Sequence, residues 1–127
     1  MKRDLLIVLI IIGVIIGLFK LLSRPPEFGF DPQKPIDLTF FWGNGCPHCE
    51  KVKKYISDNQ IDKKLNIDSK EVYYDKKNQQ SLIDAIDQCS EITDKKSIIV
   101  PVGVAGGKCF VGDQPIIDWL KTKTAQL

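Results

Sequence analysis

Apolar and polar positions alternate very differently in the first 22 residues and in the rest of the chain. From Leu5 to Phe19 all fifteen positions are apolar or glycine, and Lys20 then precedes Leu21 and Leu22. A helix over Leu5–Leu22 would rise roughly 27 Å at about 1.5 Å per residue, close to the hydrocarbon thickness of a bilayer, with Lys20 able to snorkel at one interface. A cleaved signal peptide has the same basic start. LLSRPPEF, however, shows no small-x-small pattern before its prolines, so the segment reads as an uncleaved transmembrane anchor. Lys2 and Arg3 favour a cytoplasmic start with the bulk of the chain outside, a bias that Lys20 and Arg24 weaken.

Residues 23–35, SRPPEFGFDPQKP, hold four of the seven prolines and have neither helical nor alternating periodicity. They read as an extended tether. The expected organisation is an anchor over 1–22, the tether over 23–35 and a folded domain over 36–127.

Within that domain the pattern predicts seven elements. Ile36–Trp42 alternates and then becomes continuously apolar, a strand that stops at Gly43-Asn44-Gly45. Helical spacing begins just after Cys46, with Cys49, Val52 and Ile56 on one face and Pro47 at the first helical position, where its missing N–H costs nothing. A second strand is expected over Glu71–Asp75 and a second helix from Asn78 to about Ser90, with Leu82, Ala85, Ile86 and Cys89 as its stripe. Ser97–Val104 reads as a third strand, and Lys108–Val111 as a fourth joined to it through Gly106-Gly107. Asp113 is the expected cap of a last helix that buries Ile116, Ile117 and Leu120. The order β-α-β-α-β-β-α implies an α/β fold with helices on both faces of a four-stranded mixed sheet.

Charge adds little. Eighteen Lys and Arg stand against 16 Asp and Glu, and the two signs are interleaved through the domain as on a solvated surface, which argues against a nucleic-acid partner. Cysteine usage adds more. All four cysteines (Cys46, Cys49, Cys89, Cys109) follow the tether, an even number in a domain expected outside the cytoplasm, where disulfides persist.

Candidate chemistry centres on Cys46-Pro47-His48-Cys49. A thiol attacks a disulfide only as a thiolate. Cys46 is offered the free N–H groups of a helix start, the positive end of the helix dipole, and His48 two residues on. Stabilising the thiolate also makes the corresponding disulfide a stronger oxidant. Cys49, one turn along on the apolar face, is close enough to close a small disulfide ring yet shielded from outside attack. These positions make Cys46 the presented nucleophile, Cys49 the resolving sulfur, and Pro47 and His48 the residues that tune the thiolate. Other readings of the pair are a structural bridge and a zinc or copper site drawing on the thiols and His48. The redox reading needs no metal and no cofactor beyond the Cys46–Cys49 disulfide itself.

FFWGNGCPHC after a strand, Val100-Pro101 opening a later strand, and a Gly-Asp turn before a final amphipathic helix together resemble the thioredoxin superfamily, in a glutaredoxin-sized form spanning roughly Ile36 to Leu127. The resemblance implies a cis Pro101 lying against the active-site disulfide and a substrate groove formed by Val100, Pro101 and Trp42. It implies a thiol-disulfide oxidoreductase. The Pro-His dipeptide is similar to that of the exported oxidant DsbA, which implies an oxidase acting on cysteines of exported proteins and recharged by a membrane or extracytoplasmic redox partner. A reductase of the same fold is the alternative. Three departures stand out. Phe40 occupies the place of thioredoxin's buried acid, there is no room for DsbA's inserted helical domain, and Phe110-Val111-Gly112-Asp113 only partly echoes the glutathione-contacting stretch of glutaredoxins. For Cys89 and Cys109, an oxidising compartment favours a structural bridge over two buried thiols or an auxiliary redox pair. Trp119 reads as packing.

Overall fold

The computed structural model of the chain describes residues 2–22, 28–94 and 99–127. The elements are α1 (Lys2–Leu22), β1 (Leu38–Trp42), α2 (Pro47–Asp58), a 3-10 turn (Ile61–Lys63), β2 (Ile67–Glu71), α3 (Lys76–Asp87), β3 (Val102–Ala105), β4 (Lys108–Val111) and α4 (Asp113–Thr124). The side chains of α1 are described from Asp4 to Phe19, and all are exposed. Among the described residues, no helix is long and apolar enough to cross a membrane. The span expected over Leu5–Leu22 draws on Lys20, Leu21 and Leu22, whose side chains lie outside the described residues.

After α1 the order is the expected β-α-β-α-β-β-α. The four strands lie in the order β2-β1-β3-β4, with β1 parallel to β2 and antiparallel to β3, and β3 antiparallel to β4. β1 is therefore central, and this explains its continuous apolar run. Successive side chains of a strand point to opposite faces, and both faces of β1 are covered. Phe40, Phe41 and Leu38 are all but fully buried. On one side α4 packs close to the sheet: a Cβ on Gly103 would meet Ile116 Cγ1 at 3.1 Å and Leu38 Cδ1 at 3.2 Å. On the other side Thr39, Phe41, Val104 and Cys109 line a cavity of about 420 Å³ together with Ser81, Asp84, Ala85 and Gln88 from α3 and the turn after it. α2 carries Cys49, Val52 and Ile56 into the core with no exposure, each apolar side chain contributing on the order of 1.5–3 kcal/mol.

Two strand expectations are corrected. The second strand is Ile67–Glu71, not Glu71–Asp75. It is an edge strand whose Asp68 and Lys70 form an ion pair at 3.1 Å, so the charges that protect an edge hide its alternation. The more strand-like Val72-Tyr73-Tyr74 turns away because the Glu71 carboxylate takes the N–H groups of Tyr73, Tyr74 and Asp75. The third strand starts at Val102 rather than Ser97. Residues 95–98 lie outside the described residues, Ile99 is exposed, and the Val100–Pro101 bond that precedes the strand is cis. α3 begins at Lys76, capped by Asp75, whose side chain accepts from Lys77 N and Asn78 N. α4 has Gly112 as its cap residue, and Asp113 is its first helical residue without a side-chain cap bond.

The described part of the expected tether, residues 28–35, lies against the domain. Phe28 is a core residue, and Asn66 binds this segment. Asn66 Oδ1 accepts from Asp31 N at 2.9 Å, and its amide nitrogen lies 2.9, 3.1 and 3.2 Å from the carbonyl oxygens of Asp31, Lys34 and Pro35. The main chain adds Asn66 N to Asp37 Oδ2 at 2.8 Å and Asp37 N to Asn66 O at 2.9 Å. Asn66 is the buried polar side chain of the described core. Replacing it by alanine keeps the main-chain bonds but removes the side-chain partner of Asp31 N and of the carbonyl oxygens of Asp31, Lys34 and Pro35, and we expect a loss of about 1–3 kcal/mol, read as a lower urea midpoint with an unchanged m-value.

Candidate active site

The end of central strand β1 and the start of α2 are joined by four residues, Gly43 to Cys46, the last of which is Cys46 itself. Gly45 takes φ +76°, a left-handed conformation that glycine adopts without a side-chain penalty. Cys46 is the cap residue of α2, with φ −81° and ψ 113°. Its N–H donates to Gly43 O at 3.2 Å and its carbonyl accepts from Glu50 N at 3.1 Å. Its Sγ accepts the Cys49 N–H at 3.2 Å, filling the place that a serine or aspartate oxygen fills in an ordinary cap. Pro47 occupies the first turn, as the sequence predicts.

Cys46 and Cys49 form a disulfide with 5.2 Å between Cα atoms. The two sulfur-bearing residues are unequal, but less so than the sequence suggests: Cys46 is 8% exposed and Cys49 fully buried. Val100 O lies 3.6 Å from Cys46 Sγ, so the loop leading into β3 covers the sulfur from the far side. Val100 and Pro101 are both buried, and Pro101 O accepts from Gly112 N at 2.9 Å, which ties this loop to the start of α4. Trp42 is also brought to the junction, but as a core side chain with 6% exposure and Lys53 Nζ 3.0 Å from its ring centroid. Cys89 and Cys109 form the second disulfide, linking the end of α3 to edge strand β4 with Cα atoms 5.8 Å apart. Trp119 packs against Phe110 with ring centroids 5.9 Å apart. Among the described residues, no group of three or more His, Cys, Asp or Glu side chains is placed to hold a metal ion.

No protein-family model matches the sequence, and no curated protein matches it. Among solved structures, glutaredoxin 1 from Francisella tularensis, crystallised in complex with cacodylate, aligns with a TM-score of 0.47 and 18% identity. The alignment covers 71% of this chain and 96% of that one.

Three residues that the sequence did not single out as site residues shape the junction. Glu71, at the end of β2, accepts from Asn44 N at 3.2 Å and Tyr73 N at 2.8 Å through one oxygen, and from Tyr74 N at 2.9 Å and Asp75 N at 3.3 Å through the other. The loop before Cys46 is thereby fastened to the loop before α3. Tyr73 lays its ring over Gly43 so closely that a Cβ there would fall 2.3 Å from Tyr73 Cζ. Asp113 reaches across from α4 to His48, with Oδ1 3.2 Å from Nδ1, and to Lys51, with Oδ2 3.3 Å from Nζ. Local spacing carries no sign of the links from Glu71 to Asn44, from Tyr73 to Gly43 or from Asp113 to His48 and Lys51, which join distant parts of the chain.

Both carboxyl groups titrate low. Burial works to raise the Glu71 pKa, and hydrogen bonds from the N–H groups of Tyr74, Tyr73, Asn44 and Asp75 outweigh it. Asp113 is held low first by its hydrogen bond with His48, against the opposing effect of burial, and then by Lys51. A folded-state pKa below the unfolded one, about 4.3 for glutamate, gives stability that is present above that value and lost as pH falls through the folded pKa. Glu71→Gln removes this contribution. The stability gap between wild type and Glu71→Gln is therefore expected to be widest near neutral pH and to close progressively below about pH 4.3, as measured by urea unfolding at a series of pH values.

Proposed function

We propose that this chain is a thiol-disulfide oxidoreductase of thioredoxin-like fold that works through Cys46 and Cys49. The observation that carries the reading is the disulfide at the start of α2, where one sulfur caps the helix at its partly accessible end and the other is sealed in the core. In the oxidising direction a substrate thiolate attacks Cys46 Sγ, the Cys46–Cys49 bond breaks, and its electron pair leaves on Cys49. A second substrate thiolate attacks the mixed disulfide and expels Cys46. Two substrate thiols thus lose two protons and two electrons, and the protein gains them as its dithiol.

Helix α2 favours negative charge at Cys46 through its unpaired N–H groups and a dipole equivalent to roughly half a positive charge. That effect, together with the Pro-His dipeptide resembling DsbA, supports an oxidase whose substrates are cysteines of exported proteins. A reductase uses the same atoms in reverse. Membrane attachment through α1, with the domain outside the cytoplasm and a membrane redox protein as recharging partner, belongs to the same reading. It is supported by the fifteen consecutive apolar or glycine positions, whose side chains are exposed on every side of the helix.

Reduced full-length protein incubated with a disulfide-bearing peptide provides the test. Cys49→Ser is expected to accumulate a mixed disulfide through Cys46, whereas Cys46→Ser forms none and loses essentially all exchange activity. No adduct with Cys49→Ser would remove the assignment. Direction is read from equilibrium with glutathione: a potential near about −270 mV, that of thioredoxin, would replace oxidase by reductase. Labelling intact cells with an impermeant thiol reagent is expected to modify Cys46 after mild reduction, and protection until lysis would place the domain on the cytoplasmic side.

A further inference from the structure

Resting on the reading of Cys46 as the exchanging sulfur, we propose that Asp113 is a positioning residue for the reaction. It holds the His48 imidazole by Nδ1, so that positive charge on the ring is kept in the first turn of α2, beside the sulfur that becomes a thiolate.

His48 is 62% exposed and Lys51 equally so, whereas Asp113 is 21% exposed. The carboxylate is thus the fixed point, and the two long or mobile side chains gather on it, one per oxygen. Asp113 stands in the first turn of α4, where that helix's own dipole favours a negative charge, so the group stays ionised through the neutral range. With Nδ1 held by Asp113, Nε2 is the ring nitrogen left for other partners. In the reduced protein the Cys46 thiol gives its proton to solvent base, leaving a thiolate with no electron moved. The thiolate then attacks a disulfide, forming one S–S bond while the electron pair of the broken one departs on the leaving sulfur.

Two opposing effects decide the sign. The negative charge of Asp113 repels a thiolate, and its contact with Nδ1 holds in place a ring that attracts one whenever it carries a proton. The attraction wins, because the Asp113–His48 contact is direct at 3.2 Å while the carboxylate's charge is offset by Lys51 at 3.3 Å. Of the other charged groups near the junction, the Glu71 carboxylate at the end of β2 is taken up by the N–H groups of Asn44, Tyr73, Tyr74 and Asp75. On α2, Glu50 holds Lys53 at 3.0 Å, and on α4, Asp118 holds Lys121 at 3.4 Å, further along the helix and near Tyr55. Asp113 and a protonated His48 together add no net charge. Their effect is to place a positive charge two residues from Cys46, whereas Lys51 lies five residues away.

The test uses the reduced full-length protein and the pH dependence of Cys46 alkylation, followed by mass spectrometry. Asp113→Asn is expected to raise the apparent thiol pKa, lowering the thiolate fraction at pH below it about two- to fivefold, the range of an exposed ion pair. The equilibrium with glutathione should shift by the same factor toward the protein disulfide. Asp113→Glu, which keeps the charge and the fold, should restore most of the effect. In a His48→Gln background Asp113→Asn should change nothing further. Alkylation that is unchanged or faster in Asp113→Asn, or an equal effect with His48 already replaced, overturns the proposal while leaving exchange at Cys46 intact. Failure of Cys46 to form any mixed disulfide removes the oxidoreductase reading, and this one with it.

Discussion

The N–H of Cys49 donates to Cys46 Sγ at 3.2 Å, and the rest of the site is arranged around that contact. It requires Cys46 to be the cap residue of α2, with extended backbone, and it requires Cys49 to be one turn into the helix. The turn that delivers Cys46 to this place is short, and it is fixed at both ends. Central strand β1 fixes one end, because its side chains are buried on both faces of the sheet. The one-sided apolar face of α2 fixes the other. A thiolate formed at the same atom would accept the same N–H with a charge on the acceptor, a stronger bond than the neutral one. Fold and chemistry therefore depend on one geometry.

Around the junction three connections from distant parts of the chain limit how it can move. The Val100–Pro101 loop covers Cys46, and Pro101 is itself bonded to Gly112 at the start of α4. Glu71 gathers backbone donors from both sides, the Asn44 loop and the Tyr73–Asp75 loop. Tyr73 occupies the space that any side chain at position 43 would need. The effect is a Cys46 sulfur enclosed by connections from three separate parts of the chain, with 8% of the residue exposed.

Several features were legible in the sequence because they depend on neighbours in the chain. The placement of Cys46 before a helix, of Pro47 in its first turn and of Cys49 on its inner face follows from local spacing. So does the hairpin at Gly106-Gly107, and so does the order of elements. The misplaced second strand shows the limit of that reasoning. Val72-Tyr73-Tyr74 has the composition of a strand, but only Val72 N still bonds to β1, at Trp42 O, while the Glu71 carboxylate takes the N–H groups of Tyr73 and Tyr74. The real strand, Ile67–Glu71, carries edge charges that hide its pattern.

The sequence by itself determined that two cysteines of different exposure stand at a strand-to-helix junction, because helical periodicity and the rules for a helix start act within a few residues. Only the tertiary structure decided what surrounds them. It brought Val100 onto Cys46, made Trp42 a buried support, closed Cys89 onto Cys109, and set Asp113 against His48. It also fastened residues 28–35, within the extended tether that the sequence suggests, to the domain through Asn66. Contacts of this kind join residues tens of positions apart, and their partners are chosen by how sheet and helices pack. A periodic pattern along one element carries no record of that choice.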